Sequence, residues 1–199
     1  MLSVTIILPF VSIEALAISA LSLVNPADDS IIRSAVFYSK NIEYSTDNVD
    51  MILDGGQCSV GVESTIIDLT GNNVVLLRAG GISLEELENF LNEKVLISNG
   101  NPDLPSSPGQ MLKHYAPNHN MRINAEKPEN GEFFIGFGNI SNAHINLSPS
   151  GNLCEAAANL FAYMRYADSQ IGYSGIAMSP IPNYGIGMAI NDRIRRAAY

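Results

Sequence analysis

The chain has 199 residues, 46% of them hydrophobic, and its 16 glycines and 10 prolines are scattered without a period. That supports one sizeable core or two small ones, and it excludes a solenoid, a low-complexity array or a largely disordered chain. A net charge of -9 and a pI near 4.6 exclude a broad nucleic-acid footprint, because phosphate binding works by counterion release from a basic surface.

The first 24 residues, "MLSVTIILPFVSIEALAISALSLV", are apolar enough to raise a membrane question. Pro9 and Glu14 interrupt the run, and no basic n-region or small-residue cleavage site accompanies it, so it reads as buried core with no membrane role. Cys58 and Cys154 stand far apart and are expected as reduced thiols in a cytoplasmic protein, with a disulfide as the lesser reading. "VDMILDGG" is an apolar run closed by two glycines, as in a buried strand and turn. "STIIDLT" and "VVLLRAG" then flank Gly71-Asn72-Asn73, which predicts a β-hairpin. Ser83 and Glu86 have the spacing of a capping box, and Leu84, Leu87 and Leu91 share one helical face, so a helix starts after Ser83.

From about Val95 to Asn120 the periodicity breaks into "SNGNPDLPSSPGQMLKHYAPNHN", far longer than an ordinary connection and therefore a linker or functional loop. Beyond it come the strands "FFIGFG" and "HINLS", a helix from about Leu153 to Tyr166, the strand "GIAMSPI" and a last helix "GMAINDRIRRAA". Strands alternating with helices predict a small α/β layer. Arg193, Arg195 and Arg196 are expected to complement the dipole of that last helix in preference to forming an RNA-binding patch.

Two residues of the hairpin suggest a site. If the hairpin loop has an odd length, Ser64 falls opposite Arg78, and a hydroxyl and a guanidinium converge beside glycine turns whose backbone a ligand can approach. Such a pair suits a carboxylate or phosphate. The alternative is an edge arginine in water and a hydroxyl satisfied by its own backbone, and spacing alone favours that simpler reading. His114, His119 and His144 carry no third ligand or CxxC at zinc-site spacing, so no metal site is expected. Neither a GxSxG elbow, a Walker A motif nor a dinucleotide fingerprint occurs. Glu85, Glu86 and Glu88 read as a solvated helix face.

Three ordered motifs, "VGVESTIIDL...VLLRAGGIS", "SPGQMLKHYAP" and "PIPNYGIGMAINDRIRRAA", resemble the long form of the threonylcarbamoyl-AMP synthase family, which is YrdC-like with an extra C-terminal domain. The resemblance runs from about Asn48 to Tyr199. It implies an α/β fold in three parts: residues 1–95 as a partial YrdC-like twisted-sheet domain, 96–120 as an interdomain linker, and 121–199 as a small Rossmann-like α/β domain. It implies a nucleotidyl transfer that joins L-threonine, bicarbonate and ATP, with Mg²⁺, into threonylcarbamoyl-adenylate and pyrophosphate, for threonylcarbamoyl-adenosine modification of tRNA. Ser64 would then contact L-threonine, while Arg78, Tyr115 and Asn25 would contact ATP. A partner enzyme would handle the RNA, with direct RNA binding weak or absent.

The chain also departs from the family. Its "PTET-YGLG"-like and "KxR" segments have no counterpart here, Ile7 stands where the family has arginine, and Leu23 stands where it has serine. An N-terminally truncated member of impaired activity is therefore the expectation, with an inactive remnant or a protein-interaction module that retains weak nucleotide binding as the alternative.

Overall fold

The computed structural model describes the strands Thr5–Leu8, Ala35–Tyr38 and Met51–Asp54, and then residues 60–98 and 116–198. Asn25, Cys58, His114 and Tyr115, with most of "SSPGQMLKHYAP", lie outside the described residues. Two compact units emerge. One comprises Val11–Ser59, where β2 (Ala35–Tyr38) pairs in parallel with β3 (Met51–Asp54). The other joins Met1–Phe10 to Val60–Tyr199 and contains two four-stranded sheets.

The first sheet has the order β1-β4-β5-β6. Its heart is the hairpin of β4 (Thr65–Asp68) and β5 (Val75–Arg78), antiparallel as its two apolar runs predict. β1 (Thr5–Leu8) pairs antiparallel with β4, which places Ile7 opposite Ile66, and β6 (Leu96–Ile97) runs parallel to β5. Between β5 and β6 lies α1 (Leu84–Leu91), and its start is the capping box: the Glu86 amide donates to Ser83 Oγ at 3.3 Å and the Ser83 amide donates to Glu86 Oε2 at 2.8 Å. Two otherwise orphaned amides are thereby satisfied. Asn92 takes the left-handed conformation that ends the helix. Leu87 buries its side chain with Ile67, Val74, Leu76 and Val95.

The second sheet is wholly parallel, in the order β7-β10-β8-β9. β7 (Asn120–Arg122) and β9 (Ile145–Asn146) are its edges; β8 (Glu132–Gly136) and β10 (Gly175–Met178) are central. Phe133, Phe134 and Ile135 on β8, and Ile176, Ala177 and Met178 on β10, are buried without alternation, because a central parallel strand is covered on both faces. α2 (Leu153–Asp168) packs on this sheet through Ala156, Ala157, Leu160 and Met164, and α3 (Gly187–Ala197) through Ala189, Ile190 and Ile194. Asn152 caps α2, its Oδ1 accepting from the amides of Cys154 and Glu155. No helix among the described residues is long and apolar enough to cross a membrane.

Val62, Val60 and Ala79 from the hairpin side join the large core of the parallel sheet, and Met188 of α3 joins the hairpin's own cluster. The approach is close enough that a Cβ on Gly61 would lie 2.3 Å from the Ala157 carbonyl oxygen.

Candidate functional site

The site forms where "GVEST" meets "RAGG". Asp68 pairs with Val75 and Ile67 with Leu76, which closes a turn of even length, not the odd one that would set Ser64 opposite Arg78. A β-bulge then takes up Leu77, so that Arg78 pairs with Ile66. Ser64 is two residues from Ile66 and shares its face, so the bulge restores the juxtaposition that a plain ladder would have lost.

The contact itself differs from a meeting of guanidinium and hydroxyl. Arg78 Nε and Nη2 both donate to the backbone carbonyl of Ser64, at 3.1 and 2.8 Å. The guanidinium thus holds the backbone at Ser64, and the Ser64 hydroxyl has no hydrogen bond to another described residue. Burial lowers the Arg78 pKa; the Glu63 carboxylate opposes that shift, the Arg193 cation adds to it, and Asp192 opposes it. An arginine guanidinium nevertheless stays cationic at neutral pH.

The following residues fix this geometry. Gly80 is buried, and a Cβ there would lie 2.3 Å from both the Glu63 oxygen and the Thr65 nitrogen, so only glycine lets the chain pass. The Gly81 amide donates to the Glu63 carbonyl at 3.1 Å. Thr65 is fully buried; its hydroxyl donates to the Ile82 carbonyl at 2.7 Å and accepts from the Ile82 amide at 3.0 Å, which locks β4 to the loop before α1. Both hydrogen-bonding capacities of that hydroxyl are used.

Behind the hairpin lies Arg193, fully buried in α3. Its Nε donates to Glu63 Oε2 at 2.7 Å, its Nη1 to Asp192 Oδ2 at 2.5 Å and its Nη2 to the Ala79 carbonyl at 3.0 Å. Arg193 therefore grips the residue before Ser64 and the residue after Arg78 together. Arg196 binds both oxygens of Asp192 at 3.0 Å. The expected helix-dipole role covers only part of this, since Arg193 and Arg196 are engaged in specific ion pairs. Glu63, Asp192 and Arg193 were not singled out from the sequence as site residues. A signal existed: Arg193 falls on the i, i+3, i+4 stripe with Ile190, Ile194 and Ala197, where a charge is buried only if it has a partner.

Two histidines serve the fold. His119 Nδ1 lies 2.8 Å from Asp168 Oδ1, and Asp168 also accepts from the amides of Asn118 and His119 and from Asn118 Nδ2. His144 Nδ1 accepts from the Phe134 amide at 2.8 Å, and its ring stacks on Phe133 at 4.8 Å. Among the described residues no group of three His, Cys, Asp or Glu side chains gathers as metal ligands.

These features define an α/β protein in which a bulged hairpin carrying a hydroxyl and a cation is clamped to a parallel sheet by a buried arginine. Two family descriptions match it: "Telomere recombination" over residues 18–80 and "Threonylcarbamoyl-AMP synthase, C-terminal domain" over residues 82–199. The chain belongs to the threonylcarbamoyl-AMP synthase family of Sua5 and YrdC-like proteins. It is 31% identical over 170 residues to the threonylcarbamoyl-AMP synthase of Pyrococcus abyssi, covering 75% of this chain and 49% of the relative. With that of Schizosaccharomyces pombe it shares 27% over 224 residues, covering 94% of this chain and 55% of the relative. The crystal structure of P. abyssi Sua5 complexed with L-threonine aligns with a TM-score of 0.65 at 30% identity, over 79% of this chain and 52% of the other. A P. abyssi Sua5 variant with alanine in place of an adjacent His and Tyr aligns with a TM-score of 0.62 at 28% identity, over 76% of this chain and 49% of the other. The chain spans about half the length of these relatives.

Proposed function

We propose that this chain takes part in joining L-threonine, bicarbonate and ATP into threonylcarbamoyl-adenylate, with release of pyrophosphate. The observation that carries the reading is the bulge at Leu77, which brings Ser64 and Arg78 to one face while Arg193 holds both flanks. Ser64, with its hydroxyl uncommitted among the described residues, is assigned to L-threonine. A crystallised relative was complexed with that amino acid. Arg78 is assigned to ATP, since adenylation develops charge on phosphate and is helped most by fixed donors and cations. Tyr115 and Asn25 are assigned to ATP as well. In support of Tyr115, the alanine-substituted pair of the solved variant is an adjacent His and Tyr, and this chain carries His114 next to Tyr115.

Residues 96–120 are in this reading the linker between the catalytic part, 1–95, and a Rossmann-like domain, 121–199. ATP enters with Mg²⁺, which would neutralise phosphate charge. The described residues gather no metal-ligand cluster, so none of them is assigned to the ion. The product is a small molecule consumed by a tRNA-modifying partner enzyme in the cytoplasm, which explains how a protein of charge -9 serves an RNA pathway. A second reading, binding without turnover, is favoured by Ile7 and Leu23, which offer no polar group where the family has arginine and serine.

Incubating the purified full chain with L-threonine, bicarbonate and Mg-ATP tests both. Pyrophosphate release that needs threonine and bicarbonate is the expected outcome. A thermal shift with threonine or ATP but no release would select the second reading, and neither release nor shift would refute the proposal.

A further inference from the structure

A cavity of about 220 Å³ opens at the carboxyl ends of β7 and β10, beneath α3. In open parallel α/β sheets the carboxyl end is where loops diverge and ligands bind. Asn124 follows β7, Ser179 and Asn183 follow β10, and Asn191 and Arg195 come from α3, with isoleucines completing the wall. None of the lining residues is a carboxylate.

Two side chains there make no hydrogen bond or ion pair with another described residue. Ser179 is 2% exposed, and its Oγ is the one buried side-chain polar atom among the described residues that makes no hydrogen bond. Buried hydroxyls are ordinarily satisfied, so an orphan at a cavity wall marks a place for a ligand atom. Arg195 is exposed and makes no ion pair among the described residues, whereas Arg193 and Arg196 share Asp192 and Arg122 pairs with Glu132. The walls are fixed. Asn191 Nδ2 donates to the Ile181 carbonyl at 3.0 Å and to Asn183 Oδ1 at 3.3 Å, and the Ala125 amide donates to the Met178 carbonyl at 2.9 Å. Asn124 adopts φ 55, a left-handed turn at the rim that asparagine tolerates.

We propose that this cavity is a second ligand site, separate from the hairpin, and that it binds a small oxyanion: inorganic phosphate or a phosphomonoester. Arg195 supplies charge and paired N–H donors at the mouth, Ser179 donates its hydroxyl from the floor, and Asn124 and Asn183 add side-chain amides to a wall that Asn191 braces. The site does not depend on the activity proposed for the hairpin.

Amide NMR signals of the full chain, followed while titrating inorganic phosphate and separately glycerol 3-phosphate, test it. Saturable shifts centred on Asn124, Ser179 and Asn191 are expected with both probes; tighter binding of the ester would identify a phosphomonoester as the ligand, and tighter binding of phosphate the free ion. Arg195→Gln is expected to weaken binding about tenfold, equivalent to about 1.4 kcal/mol. Ser179→Ala is expected to weaken binding while raising Tm, because it removes an unpaired buried hydroxyl. No saturable shift, shifts confined to the surroundings of Arg78, unchanged affinity in both variants, or a lowered Tm in Ser179→Ala would overturn the proposal.

Discussion

Arg193 decides whether the hairpin keeps its shape, because its three donors reach Glu63, Asp192 and the Ala79 carbonyl from a fully buried position. Removing one partner of such a pair leaves the others desolvated and unpaired, which costs about 3–5 kcal/mol when both are deeply buried. Glu63 keeps 31% of its side chain exposed, so the lower end applies: Arg193→Gln is expected to lose about 2–3 kcal/mol in urea unfolding. Arg193→Lys keeps the charge but has no planar fork to serve three acceptors, and an intermediate loss is expected. Equal stability of all three proteins would show that the clamp is ornamental. The arginine type and its place on an apolar helical stripe were visible in the sequence. Its partner was not, because Glu63 is 130 residues away and nothing local links the two.

At the level of elements, the hairpin, the capping box, both long helices and three of the four strands of the parallel layer were legible, since each rests on local periodicity or a cap, whereas β7, three residues long, carries no such pattern. The bulge was not. In the sequence the juxtaposition of Ser64 and Arg78 was conditional on an odd loop, with the simpler reading favoured by spacing alone, whereas the structure combines an even turn with an extra residue at Leu77, and Gly80 passes close against the Glu63–Thr65 backbone. Gly80→Ala is therefore expected to break the hairpin, with loss of protection of the Gly81 and Ile82 amides in hydrogen exchange; unchanged protection would contradict the register. A pH prediction belongs to this scale too. Burial raises the Asp168 pKa, but hydrogen bonds from Asn118 and His119 outweigh it and hold the carboxyl below its ordinary value of 3.8. A lowered folded pKa contributes stability that is present above the unfolded value and lost as pH falls through the folded one. Acid unfolding monitored at the α2 terminus should thus show a stability loss on the acid side of pH 3.8 that Asp168→Asn largely lacks, and an identical acid profile in the variant would refute the assignment.

For the whole molecule, the decisive feature is that Val60–Tyr199, with Met1–Phe10, forms one compact unit although its two sheets lie on either side of the long connection. Sequence patterning separated these sheets because connection length and composition are local properties, while the shared packing of Val62, Ala79 and Met188 is not. The parallel layer acts on the candidate site as a support, and Ser64 is the residue that this support presents. Isothermal titration of L-threonine into the full chain and into Ser64→Ala tests that claim most directly. The Ser64 hydroxyl makes no bond among the described residues, so the variant should keep the parent's Tm while its threonine affinity falls about tenfold or more, as loss of a hydrogen bond to a charged ligand group requires. Saturable heat in the parent with that loss in the variant is the predicted result; equal affinity in the two proteins, or no threonine binding by the parent, would contradict it.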